Sequence, residues 1–227
     1  MDLLDITSKF NSENDNWVRE QERIQAIKAL KEKKAKLLAY YQSEKSGVPK
    51  RFWNSSFDTY IPVDEIDNQR LKTVINFTKL KDNDKVLLLI GKFGNGKSHL
   101  GASIIRELGG IMVTSEDVIM NYESSLNFNS GTTKAQLMKQ YTTTNMLVLD
   151  EIGRYSNSNK EQELLGYILR KRYDNKLPSC LISNLTKTQT INLFGAAITD
   201  RLNETGLTIT FNKESYRSKI RDTKLQL

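Results

Sequence analysis

The stretch KVLLLIGKFGNGKSHLGASIIREL, residues 85–108, decides the fold of this chain. It joins a short apolar run to a turn with three glycines and then to a segment with helical composition. Apolar runs of this length are typical of strands that are covered on both faces. From Gly91 to Ser98 the sequence fits the pattern G-x-x-x-x-G-K-[ST] without a mismatch. A strand, a glycine turn and a helix in this order are the context that a phosphate-binding loop requires.

This loop predicts a site for ATP with Mg²⁺. The glycines let consecutive backbone N–H groups point at phosphate oxygens, and the start of the helix adds a positive field. Lys97 can reach the β- and γ-phosphates, and the Ser98 hydroxyl can ligate Mg²⁺. For His99 a packing or hydrogen-bonding role is favoured over a catalytic one, because no carboxylate partner is evident in the sequence. The residues assigned to nucleotide binding are Gly91, Phe93, Gly94, Asn95, Gly96, Lys97, Ser98 and His99.

Outward from the loop, strand-like and helix-like segments alternate. This alternation predicts a doubly wound α/β fold with a parallel sheet. The predicted strands are 85–90, 110–114, 145–150, 179–183 and 207–211. The predicted helices are 65–80, 97–108, 115–125, 133–141, 160–173, 187–193 and 195–204.

Two acids, Asp150 and Glu151, end the strand Met146–Asp150. The carboxyl ends of parallel strands are where α/β sheets bind ligands. Asp150 is placed to hold Mg²⁺ and Glu151 to polarise a water for attack on the γ-phosphate. Two adjacent acids alone are more often a surface turn, but the phosphate-binding loop upstream favours the catalytic interpretation.

The strand after Asp150 and Glu151 is followed by another candidate for the nucleotide site, Asn184, which can hydrogen-bond the γ-phosphate or the attacking water.

Arginines are also candidates for this site, because they can spread the charge of a phosphoryl-transfer transition state. Periodicity does not choose among the candidates, which are Arg154, Arg170, Arg172, Arg201 and Arg217.

Composition excludes several classes of protein. No apolar run approaches the roughly eighteen residues of a membrane span, and the first residues do not resemble a secretory signal. The single cysteine, Cys180, allows no internal disulfide and fits a reducing cytoplasm. One cysteine and one histidine are too few for a protein-built zinc site.

The N-terminal part is a basic helix. The net charge is +7, and residues 17–51 carry ten basic and four acidic side chains. Such a segment is either a solvated helix face or a surface for an acidic partner. One helix is predicted at 14–43, with an apolar stripe that needs a partner. We divide the chain into a helical partner-binding extension (1–46), an aromatic-rich linker (47–64) and an ATPase domain (65–227).

Together, GKFGNGKSHL, LVLDEIG, LISNL, DRL at 200–202 and SYR at 215–217 resemble the AAA+ ATPases of the DnaC/IstB group. The linker SGVPKRFWNSSFDTYIP is similar to the segment that precedes the ATPase domain in DnaC-type helicase loaders. The resemblance covers about residues 47–221.

This resemblance implies specific roles. Lys97 and Ser98 correspond to Walker A, and Asp150 and Glu151 to Walker B. Asn184 takes the sensor 1 position, Arg201 that of an arginine finger reaching a neighbouring subunit's ATP, and Arg217 that of sensor 2. The implied fold is a five-stranded parallel sheet with the P-loop strand central. With sixteen residues after the last predicted strand, we expect a minimal or absent helical lid.

The function implied is an ATP-dependent loader that binds a replicative DNA helicase hexamer and delivers it to single-stranded DNA. It would self-associate through its ATP sites in the cytoplasm of a bacterial or phage-infected cell. The basic helix corresponds to the helicase-docking element, and Lys134, Lys139 and Tyr141 to a segment that contacts DNA. Two alternatives stay open: an IstB-type transposition helper on duplex target DNA, and an ATP-gated adaptor with negligible turnover.

Overall fold

The computed structural model describes residues 3–80, 84–127, 131–154, 159–213 and 216, with side chains from residue 17 onward. The chain forms two compact units, Met1–Tyr40 and Tyr41–Leu227. In its described part the first unit is helical throughout, as the body of helix α1 (Leu3–Tyr41). This helix begins earlier than the predicted residue 14, because Asn14 and Asp15, which favour a cap, are also tolerated inside a helix.

The second unit contains an α/β sheet with its helices. The strands are β1 (Val86–Gly91), β2 (Ile111–Thr114), β3 (Leu147–Ile152), β4 (Ser179–Ser183) and β5 (Gly206–Phe211). The helices are α2 (Glu65–Thr78), α3 (Lys97–Leu108), α4 (Ser115–Ser124), α5 (Lys134–Thr143), α6 (Asn159–Asp174) and α7 (Lys187–Thr205). Two 3₁₀ turns, Glu44–Ser46 and Lys50–Phe52, lie in the segment before α2.

Local sequence explains where several helices start and one bends. Asp64, Thr133 and Thr186 each accept a hydrogen bond from the backbone N–H three residues on, which satisfies a donor that the first turn leaves open. Two helices were predicted at 187–193 and 195–204. They form the single element α7 with a kink at Gly195, whose φ of 72° only glycine adopts easily.

All five strands pair in parallel, in the order β2-β3-β4-β1-β5. The predicted fold class is confirmed. The P-loop strand β1 is interior, but the expectation that it is central is wrong by one position. One strand lies beyond β1 and three lie on its other side, so the middle strand is β4.

Apolar side chains of the strands are buried on both faces of the sheet. On one face, Leu88, Leu149 and Leu181 belong to a core that also includes side chains from α4, α5, α6 and α7. On the other face α3 packs closely: a Cβ on its Gly101 would lie 2.6 Å from Ile182. The parallel register brings the carboxyl ends of β1, β3 and β4 to one edge.

The predicted absence of a membrane span and the predicted minimal lid can be compared only with the described residues. No described helix is long and apolar enough to cross a bilayer. The predicted minimal lid concerns residues that follow Lys213, where Tyr216 alone lies inside the described ranges.

Candidate nucleotide-binding site

The glycine turn between β1 and α3 has the backbone that the sequence predicts. Gly91, Gly94 and Gly96 all have positive φ, at 128°, 77° and 82°. Gly96 also caps α3, and a Cβ there would lie 2.7 Å from Cε2 of Tyr60. A larger residue at Gly96 would therefore be strained and would collide with an aromatic ring.

Lys97 is 5% exposed and lies across this turn. Its ammonium donates to the carbonyl oxygens of Gly91 at 2.6 Å and Lys92 at 2.7 Å, and to Oδ1 of Asn184 at 3.1 Å. Burial lowers the pKa of Lys97 to about 8, although nearby Asp150 acts in the opposite direction. The ammonium is held by neutral oxygens, which phosphate oxygens can replace with a gain in charge pairing.

Ser98 and Asp150 come together as the sequence predicts. The Ser98 side chain hydrogen-bonds Asp150, whose Oδ1 also accepts the N–H of Glu151 at 2.7 Å. Burial raises the pKa of Asp150, and these two hydrogen bonds oppose the rise. A hydroxyl and a carboxylate are oxygen ligands of the kind that Mg²⁺ prefers.

The described residues contain no cluster of three or more acidic, histidine or cysteine side chains that could hold a metal by themselves. Mg²⁺ is usually bound by one or two protein groups together with substrate phosphates. The pair of Ser98 and Asp150 fits that arrangement.

Glu151 is held by an arginine. Its Oε2 lies 2.6 Å from Nη1 of Arg154, which is also 3.7 Å from Glu116. The backbone of Glu151 is left-handed, with φ at 57°, a conformation that costs energy for a residue other than glycine. Arg154, one of the five candidate arginines, therefore lies next to the carboxylate that is proposed to polarise the attacking water.

The other arginines are distributed differently. Arg172 is buried, with hydrogen bonds to Ser179 and to the carbonyls of Tyr141, Thr144 and Pro178, so it joins α6 to β4 and the end of α5. The prediction that Arg172 could stabilise the transition state is wrong, because its guanidinium is fully engaged by Ser179 and by three backbone carbonyl oxygens.

Arg201 does not line the nucleotide cavity. Its Nη1 donates to the carbonyl of Ala197 at 2.8 Å, and its guanidinium lies 5.2 Å from the ring centre of Tyr173. Arg170 is exposed on α6. Arg217 lies outside the described residues.

A cavity of about 250 Å³ joins these elements. The P-loop, Asp150, Glu151 and Asn184 line one end, which we call the phosphate end. The other end, the linker end, was missed by the sequence reasoning, which treated 47–64 only as a connection. Its lining residues are Arg51, Phe52, Thr59, Tyr60, Ile61, Lys213 and Tyr216. The density of aromatic residues in 52–60 was the available signal.

His99 connects the two ends. Its Nε2 lies 2.9 Å from the carbonyl oxygen of Ser56 and 3.3 Å from Oγ1 of Thr59. The ring also packs edge-to-face on Tyr60, with centroids 5.7 Å apart. Burial lowers the pKa of His99, which favours the neutral ring. His99 lines the cavity and also holds the linker, as the hydrogen-bonding interpretation expects.

Known proteins with similar sequences include ATP-binding proteins, in agreement with a nucleotide site in this cavity. A protein-family profile described as IstB-like ATP binding protein matches residues 27–224. The replicative helicase loader DnaC of Buchnera aphidicola subsp. Baizongia pistaciae (strain Bp) is 29% identical over 231 residues, covering 95% of this chain and 91% of the relative.

Solved structures share the fold. A crystal structure of the DnaC helicase loader superposes with a TM-score of 0.63 at 23% identity, covering 72% of this chain and 100% of that chain. The replication initiator DnaA bound to AMPPCP and single-stranded DNA gives a TM-score of 0.62 at 17% identity, covering 79% of this chain and 56% of that chain.

Proposed function

The chain belongs to the IstB-like ATP-binding proteins and is an AAA+ ATPase, and on this premise we propose that it loads a replicative helicase onto single-stranded DNA in the bacterial cytoplasm. One observation carries this proposal: the similarity to a helicase loader extends over 95% of the chain, so it includes most of α1 as well as the second compact unit, Tyr41–Leu227, which we call the ATPase unit. A similarity confined to the ATPase unit would have supported ATP binding alone.

The geometry supports a specific division of work at the phosphate end. The backbone of the glycine turn and the ammonium of Lys97 bind the β- and γ-phosphates. Glu151 orients the attacking water once its carboxylate leaves Arg154, and Asn184, already bonded to Lys97, responds to the γ-phosphate. Bound Mg²⁺, held by Ser98 and Asp150, would supply charge neutralisation of the phosphates.

Arg201 acts on the ATP of a neighbouring copy in this proposal. It lies outside the lining of its own cavity and is held by Tyr173 and Ala197. Such an arginine completes a site only when two subunits associate. ATP binding is then a signal for assembly as well as the start of hydrolysis.

Helix α1 is the proposed helicase-docking element. Trp17, Ile24, Ile27 and Leu30 expose 63%, 50%, 45% and 54% of their surface. Apolar side chains at this spacing lie on one face of a helix and are the anchors of helix-in-groove recognition. The last residue of α1 has a different role, because Tyr41 is fully buried in the ATPase unit and donates to the Phe52 carbonyl at 2.5 Å.

This difference sets the design of the docking experiment. A protein that starts at Tyr41 lacks the exposed apolar residues of α1, and it keeps the whole ATPase unit, including the linker residues that line the cavity. We expect the 41–227 protein to bind ATP but not helicase. In the full chain, Ile24→Glu with Leu30→Glu should abolish binding, and Gln25→Glu, also exposed on α1, is the matched control. Helicase binding that survives the double substitution contradicts the assignment.

Single-stranded DNA has a proposed contact surface at a groove between α4, α5 and α6. Its lining includes Tyr122, Lys134, Lys139 and Tyr167. Two aromatic rings beside two lysines combine stacking with phosphate contacts, as single-strand-binding surfaces do. From the sequence, Tyr141 was expected to contribute to this surface. It is 3% exposed and accepts a hydrogen bond from Asn121, so the prediction that its ring stacks on DNA is wrong.

The DNA proposal is tested by affinity measured against salt. Lys134→Ala with Lys139→Ala should weaken binding to single-stranded DNA and make its salt dependence shallower by about one charge per lysine. Lys171→Ala, another exposed lysine of this unit, is the control. An unchanged salt slope in the double variant would place DNA elsewhere.

An IstB-type transposition helper is the second candidate, because the matching profile itself carries the IstB-like description. The loader is favoured because the similarity to a helicase loader covers 95% of the chain, whereas the IstB-like profile begins at residue 27, within α1. Competition between duplex and single-stranded DNA in the presence of ATP distinguishes the two. Preference for the duplex, with assembly along it, would reverse the choice.

A further inference from the structure

Two described residues near the C-terminal end of the chain, Phe211 and Tyr216, contact the P-loop. In the sheet, Phe211 is paired with Gly91, and a Cβ on Gly91 would lie 2.1 Å from the carbonyl oxygen of Phe211. The same oxygen accepts a hydrogen bond from Nδ2 of Asn95 at 3.2 Å. Further on, the N–H of Tyr216 donates to the Gly94 carbonyl at 2.8 Å. The chain therefore touches the glycine turn before and after residues 212–215.

Lys213 lies between Phe211 and Tyr216 in the sequence, and its side chain contacts Asp67 of α2 and Tyr60 rather than the P-loop. Its ammonium forms an ion pair with Asp67 and lies 3.0 Å from the hydroxyl of Tyr60. The Lys213 side chain is 12% exposed, and that of Asp67 is fully buried. Tyr60 in turn donates to Oδ1 of Asp67 at 3.0 Å, so the three side chains form a closed ring of hydrogen bonds.

Asp67 is a firm anchor for this ring. It lies in the first turn of α2, where its N–H is capped by Asp64 at 2.7 Å and its Oδ2 accepts the N–H of Val63 at 3.2 Å. Arg70 lies 3.9 Å from its Oδ1. A buried carboxylate with these partners keeps its position, because leaving any of them unpaired is costly.

Tyr60 carries the connection back to the phosphate end. Its ring leaves no room for a Cβ on Gly96 and packs against His99. Movement of Lys213 would therefore reach the P-loop through Tyr60. Both Lys213 and Tyr216 line the cavity.

We propose that Lys213 is a positioning residue of the nucleotide site: through its contacts with Asp67 and Tyr60 it fixes Tyr60 and the end of β5 at Phe211 against the P-loop. This inference rests on ATP binding at the cavity. The contact between Lys213 and Asp67 lies outside the nucleotide-binding motifs that the sequence shows.

The test measures ATP affinity with Mg²⁺ by titration calorimetry, together with thermal melting of each variant. Lys213→Met and Asp67→Asn should each weaken ATP binding by roughly tenfold at a temperature where they remain folded. The double variant should be no weaker than either single, because both substitutions break the same ring. Lys213→Arg, which keeps the charge, should remain within about threefold of wild type.

Other outcomes overturn the proposal. If Asp67→Asn binds ATP as well as wild type or better while Lys213→Met binds it less well, the ammonium contacts ATP directly. If melting temperatures fall with affinity unchanged, the ring is only structural. Should Lys213→Met or Asp67→Asn fail to fold, Tyr60→Phe, which removes one hydroxyl, decides: about threefold weaker binding supports positioning, and unchanged binding contradicts it.

Lys97→Ala separates this inference from the function on which it rests. ATP binding that is absent in wild type, or unaffected by Lys97→Ala, contradicts the proposed site itself. Binding that Lys97→Ala removes and that the Lys213 and Asp67 variants leave unchanged contradicts only the inference.

Discussion

The two ends of the nucleotide cavity are built in different ways. At the phosphate end, Gly91 to Ser98 are one continuous stretch of chain from the end of β1 to the first turn of α3, and Asp150 and Asn184 lie at the ends of the neighbouring strands β3 and β4. At the linker end, Tyr60 and Lys213 meet although 153 residues separate them. The first end follows from short-range pattern and sheet topology. The second depends on how three separate segments pack, and its contributions to binding should be smaller and more widely shared.

The phosphate end should show the largest effect. Lys97→Ala removes the ammonium that now bonds to Gly91, Lys92 and Asn184, and should weaken ATP binding by roughly a hundredfold or more, because charge-assisted bonds to phosphate are lost. Titration calorimetry measures this. Lys92→Ala is the control, since its side chain is exposed on the same turn; equal losses in both variants would contradict a specific role for Lys97.

A residue outside both ends tests whether the cavity is complete in one chain. Arg201→Ala should lower kcat for ATP hydrolysis by about a hundredfold and change ATP affinity by less than threefold. The exposed Arg170→Ala is the control.

Mixing identifies the subunit on which Arg201 acts. Combining the Arg201→Ala chain with a Glu151→Gln chain should restore activity, because the second chain supplies the arginine to the first chain's intact site. Loss of ATP affinity in Arg201→Ala, or no recovery on mixing, would place this arginine at its own subunit's site.

The charge of Lys97 gives the phosphate end a pH dependence. In the free protein burial lowers the pKa of this lysine to about 8, so its ammonium is largely retained below pH 8 and lost above it. ATP affinity should therefore be nearly constant from about pH 7 to 7.5 and fall by up to roughly tenfold per pH unit well above pH 8. Bound phosphate stabilises the ammonium, so binding in this range takes up protons.

Calorimetry in buffers of different ionisation enthalpy measures that proton uptake. Lys97→Arg is the control, because a guanidinium keeps its charge throughout this range. If Lys97→Arg still binds ATP and shows the same fall in affinity as wild type, the pH dependence arises from another group.

The linker end should give the smallest effect. Ile61 lines the cavity and exposes 65% of its surface, so Ile61→Ala leaves no hole in the core. We expect about fivefold weaker ATP binding from lost apolar contact, with an unchanged melting temperature. Val63→Ala, two residues on and outside the lining, is the control. A loss as large as that of Lys97→Ala would remove the distinction between the two ends.

The sequence predicts the elements of this fold because their signals are local. The strands appear as apolar runs, and the P-loop has the strand and helix that its pattern requires. Asp150 and Asn184 could be placed from the sequence since parallel strands end at the same edge of a sheet.

Long-range packing explains the misses. Among the arginines, Arg172 is buried and hydrogen-bonds Ser179, whereas Arg154 pairs with Glu151, and no sequence spacing distinguishes these two environments. Tyr141 looked available for stacking on DNA, yet it faces the core. Lys213 gave no signal, because its partner Asp67 lies 146 residues earlier.

We propose that this ATPase loads a helicase through α1. The most direct measurement is gel filtration of the full chain and of residues 41–227 with bacterial replicative helicase hexamers, with and without ATP. We expect the full chain to co-elute with a helicase hexamer, and residues 41–227 to elute alone while still binding ATP. Co-elution of the 41–227 protein, or a full chain that elutes apart from every replicative helicase offered, would contradict it.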